Sequence, residues 1–80
     1  ELFVSKGILN YKNANERSWV RNNFSVLRIG QEATLKIFTP LNIGNGTVST
    51  QLGATIMQIG QGGLIGRVFS SGKFNYQYIE

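Results

Sequence analysis

From Phe24 to Ile79 apolar side chains return at every second position in short runs, and glycine interrupts the runs. A period of two is that of an extended strand, whose side chains point alternately to opposite faces. Ala33, Leu35 and Ile37 alternate with Thr34, Lys36 and Phe38, and Phe24, Val26 and Arg28 share a side. Residues 47–52 are β-branched and polar, 54–59 form a further strand-like run, 64–69 are apolar around Gly66 and Arg67, and Phe74, Tyr76 and Tyr78 alternate with Asn75, Gln77 and Ile79. Leu2 to Val4 adds a short run that ends near Gly7. Five or six short strands between glycine-containing breaks predict an all-β chain, a small antiparallel barrel or sandwich.

The breaks resemble one another. Ile29-Gly30-Gln31, Ile43-Gly44-Asn45-Gly46 and Ile59-Gly60-Gln61-Gly62 recur at intervals of roughly 14–16 residues, which suits one strand and its turn. Asn45-Gly46 is the strongest hairpin signal, because both residues tolerate the positive φ of a tight turn. Shared turn chemistry explains the likeness better than a true repeat. A solenoid buries its core by stacking several similar units, and the N-terminal third does not match the rest.

Residues 10–24 carry no alternation. They are rich in Asn and charge, and they predict one short helix or a long ordered loop. Asn13 or Asn15 would cap the helix, with Glu16 meeting its dipole favourably. Trp19 and Val20 would form its apolar side.

The 80 residues suffice for a single β-rich domain, 1–80, with a thin core. Without cysteine that core is unstapled, so it needs tight packing or partner subunits. A chain opening on Glu is expected to come from a longer one, by processing or as an excised domain. No run approaches the roughly 20 apolar residues of a membrane span.

Chemistry is constrained more severely. The chain has no His, Cys or Asp, and its only carboxylate side chains are Glu1, Glu16, Glu32 and Glu80. The usual acids, bases, nucleophiles and metal ligands are therefore scarce. The expectation is a non-enzymatic protein with no metal and no small-molecule cofactor. Ser70-Ser71 near Lys73 offers no third group to position it as a catalytic pair. Gly60 to Gly66 lacks the Lys-Ser/Thr of a phosphate loop and reads as a hairpin turn entering a strand, with Gly66 marking a bulge or a close backbone approach. The sequons at Asn23 and Asn45 matter only in a eukaryotic secretory protein.

Two binding surfaces remain. Phe74, Tyr76 and Tyr78 lie on one face of the last strand, where aromatic residues either close a core or meet another chain. Lys6, Lys12, Arg17, Arg21 and Arg28 face only Glu16 within residues 6–28, so this segment holds the whole net charge of +4. Arg17, Trp19, Arg21 and Arg28 place cations beside an aromatic ring, a combination that suits phosphates and stacked bases. Charged residues make up only 15% of the chain, and amides carry much of its polarity. The leading expectation is a structural or assembly module that associates with itself or docks into a larger extracellular, virion or cell-envelope complex. The alternative is a small nucleic-acid-binding barrel that uses segment 6–28.

Overall fold

In a computed structural model, which describes residues 2–12, 24–66, 69–71 and 75–79, every regular element is a β-strand. They are β1 (Leu2–Val4), β2 (Ile8–Tyr11), β3 (Val26–Ile29), β4 (Thr34–Ile37), β5 (Pro40–Gly44), β6 (Thr47–Thr50), β7 (Thr55–Ile59), β8 (Gly63–Gly66), β9 (Phe69–Ser71) and β10 (Asn75–Ile79). The all-β expectation holds.

The expected antiparallel pairing does not. Every strand pair among the described residues is parallel. Three sheets form, ordered β1-β3-β6-β9, β10-β7-β4-β2 and β5-β8. Strands consecutive in sequence fall in different sheets and pair with strands from the next circuit of the chain. Val26 pairs with Thr47 and Thr34 with Thr55, an offset of roughly 21 residues. The chain therefore winds as a three-sided parallel solenoid. Its first rung holds β1 and β2, the second β3 to β5, the third β6 to β8, and the last β9 and β10. Successive rungs are spaced by about 4.8 Å, the ordinary distance between paired strands.

This corrects the barrel or sandwich and its five or six strands. Parallel sheets normally have both faces covered and read as continuous apolar runs. Here one face of each sheet meets solvent, so the strands alternate as antiparallel ones do. The crossover that a parallel pair requires is supplied by the other sides of the rung rather than by a helix. The hairpins expected at Asn45-Gly46 and Gly60-Gln61-Gly62 are corners. The first joins β5 to β6 and the second joins β7 to β8, each time between different sheets. With three sides per circuit, a spacing of about 14–16 residues covers two sides, so the similar breaks sit on different corners. Of the helix or loop expected at 10–24, β2 occupies Asn10 and Tyr11, and residues 13–23 lie outside the described residues.

The core is a set of columns running across the rungs. Leu2, Leu27 and Val48 share one register position, and Leu9, Leu35, Ile56 and Tyr76 share another. Leu27, Leu35, Ile37, Leu41, Ile43, Val48 and Ile56 are fully buried. Between rungs the backbones approach too closely for some side chains. A methyl group on the buried Gly62 would fall on the carbonyl oxygen of Ile37 in the rung below. Gly66 lies against the backbone of Gly44, where the β5–β8 register shifts, as the close-approach expectation anticipates.

Candidate functional site

A solenoid built this way has two ends, and each presents strands that have a strand partner on one side only among the described residues. β1 and β2 are terminal strands of their sheets at one end, and β9 and β10 at the other. Exposed edges usually carry charge, proline or a bulge that blocks pairing with another chain. None of these four strands contains a charged residue or proline, whereas the inner strands β3 and β4 carry Arg28 and Lys36, and Pro40 lies on β5 of the two-stranded sheet.

The exposed apolar residues concentrate in the same places. Among the described residues the exposed large apolar side chains are Phe3, Ile8, Leu9, Leu52, Tyr78 and Ile79. All except Leu52 lie on β1, β2 or β10. Ile8 is 66% and Tyr78 72% exposed, values far from those of the buried columns beside them.

At the β10 end the two tyrosines take different roles. The rings of Tyr76 and Tyr78 lie 5.0 Å apart on the inward side of β10. Tyr76 packs against the core, and its hydroxyl donates to Gln58 Oε1 at 3.2 Å. Burial raises its pKa above the usual phenol value; a backbone hydrogen bond from Leu64 opposes the rise, and Tyr78 adds to it. Tyr78 continues the column of Tyr11, Ile37 and Gln58 but remains open to solvent. The terminal aromatic face thus both closes the core, through Tyr76, and presents a ring outward, through Tyr78. At the opposite end Tyr11 meets Phe24 edge-on, with centroids 6.0 Å apart.

A groove of about 490 Å³ crosses the outer face of the first sheet. Phe3, Arg28 and Ser49 line it in one register row, with Thr47 and Gln51 beside them. Gln51 Oε1 accepts from the Gln31 backbone N–H at 3.0 Å, tying one rung to the next through an amide. Arg28 is exposed and makes no ion pair among the described residues. Among those residues no cluster of three or more His, Cys, Asp or Glu could hold a metal ion, and no helix is long and apolar enough to cross a membrane.

Of the residues singled out from sequence, the structure places Arg28 on the first sheet and Tyr76 and Tyr78 together on the second. Arg17, Trp19, Arg21 and Phe74 lie outside the described residues. Sequence reasoning missed Phe3, Ile8 and Leu9. Their signal was an apolar pair of strands with no charge at all, legible in Leu2-Phe3-Val4 and Ile8-Leu9-Asn10-Tyr11.

The chain matches no family model, no curated protein and no solved structure.

Proposed function

We propose that this chain is a non-enzymatic assembly module that joins other protein through the ends of its solenoid. The observation that carries this reading is the pair of open parallel edges, free of charge and proline, with exposed apolar residues on both. A partner strand added at such an edge would extend the backbone ladder while covering apolar surface. The low charge and amide-rich composition suit a place in an extracellular, virion or cell-envelope assembly. Light scattering over a concentration series tests the reading, and the expected result is a mass that rises with concentration. A folded chain that stays strictly monomeric would count against self-association.

A second reading, nucleic-acid binding, has one observation in its favour. Phe3 and Arg28 stand in register in an open groove, an aromatic ring beside a cation. This reading requires binding of single-stranded oligonucleotides that falls steeply as salt rises. Titration at low salt checks it, with the single tryptophan, Trp19, as the fluorescent reporter.

A further inference from the structure

We infer that the occupant of each end is a second copy of this chain, stacked head to tail, so that β1 and β2 of one molecule extend the sheets ending in β9 and β10 of another. The inference rests on the assembly reading above and names its partner and geometry.

Polarity is the first argument. The described pairs are all parallel, and β1 and β9 are opposite edges of one sheet, as β2 and β10 are of another. Translating a copy along the solenoid axis brings β1 beside β9 and β2 beside β10 with that polarity unchanged. Two of the three sheets then run on across the junction.

Register is the second. Continuing the column of Leu9, Leu35, Ile56 and Tyr76 places Leu9 of the second copy over Tyr76. Continuing the column of Tyr11, Ile37, Gln58 and Tyr78 places its Tyr11 over Tyr78, covering a ring that is 72% exposed. On the outer face Asn10 of the copy falls over Gln77, pairing amide with amide as stacked strands favour. A register one residue out would turn the apolar columns to solvent, so the core fixes the alignment.

The third argument is that the four strands at the junction carry no charge or proline to oppose it. Four charge-free strands without proline lie at opposite ends of one molecule, and each end complements the other rather than itself. An isologous contact between like ends, made by a two-fold axis across the stack, sets the meeting strands antiparallel and gives a closed dimer. A head-to-tail contact has no closing rotation built into it and gives open-ended stacks.

The test uses one blocked end at a time. Leu9→Lys places a charge in the β1–β2 end, and Tyr78→Lys does so at the β10 end. Sedimentation velocity over a concentration series is expected to show wild-type chain growing without a fixed stoichiometry, and each variant alone staying monomeric. An equal mixture of the two variants should form a species of twice the monomer mass and nothing larger, because only one compatible pair of ends remains. Circular dichroism establishes that each variant is folded. Ile8→Lys and Ile79→Lys, at exposed positions on the same strands, repeat the mixing experiment without touching the buried columns. A wild-type dimer that persists in either single variant would overturn the head-to-tail geometry and leave the assembly reading standing. Monomeric wild-type chain at every concentration would overturn the stacking of copies and leave only a different protein as the partner in the assembly reading.

Discussion

Ile37 and Gly62 meet at the point where two rungs come closest. The Ile37 side chain is fully buried, and its carbonyl oxygen occupies the space that a side chain at Gly62 would need. Ile37→Ala removes buried methyl groups from a column and is expected to cost about 2–5 kcal/mol. Gly62→Ala forces the rungs apart and should cost about 1–3 kcal/mol. Domains have only about 5–15 kcal/mol in total, so both changes should lower the urea midpoint visibly. Tyr76 offers a different handle. Its pKa is raised on folding, because burial disfavours the phenolate. The folded state therefore holds this proton more tightly than the unfolded chain. Its contribution is fully present below the ordinary phenol pKa of about 10 and is lost as pH rises through the folded value. Alkaline denaturation followed by circular dichroism should be shallower in Tyr76→Phe, which has no phenol to ionise. An equally steep loss in that variant would assign the alkaline sensitivity to other groups.

At the level of the elements, the rung is the unit. Each interior rung contacts only its neighbours, so stability is expected to grow as rungs are added. Duplicating residues 26–46, which restores every register position to its own column, should raise the denaturation midpoint. Duplicating 30–43, the interval between two similar glycine corners, should lower it, because that length moves each following strand to a different side. Both comparisons are read from urea melts. The same contrast explains what was legible in the sequence. The inward positions were clear: Ala33, Leu35 and Ile37 are buried as their alternation requires, and Tyr76 and Tyr78 share a face. The partner of each strand was not. Alternation reports that one face is wet, and it says nothing of strand direction. The corners misled because Gly30, Gly44-Asn45-Gly46 and Gly60-Gln61-Gly62 resemble each other while occupying three different vertices. Equivalent corners differ in sequence: Gly30-Gln31-Glu32 in one rung corresponds to Gln51-Leu52-Gly53 in the next. The assembly surface was partly legible, through Tyr76 and Tyr78. Its other half, on β1 and β2, was hidden because those strands are recognisable as edges only once the sheet order is known.

For the whole molecule, the ends are the least protected parts. Among the described residues the strands β3, β4, β6 and β7 have partners on both sides, whereas β1, β2, β9 and β10 have one. Amide exchange measured in dilute solution should therefore be slowest in β3, β4, β6 and β7 and faster in the end strands. Raising the protein concentration should slow exchange in the end strands selectively. Uniform exchange at all concentrations would contradict both the stacked architecture and the stacking of copies.

The regular spacing between paired strands has a consequence for synthesis. In an antiparallel Greek-key sandwich, an early strand waits for a partner that returns by a long connection. Here β3 finds β1, β6 finds β3 and β9 finds β6, each partner having left the ribosome roughly one rung before it. Closing such short segments costs little entropy, and the cost hardly changes from one rung to the next. The emerging chain can add rungs in the order of translation, with each finished rung serving as the template for the one being made.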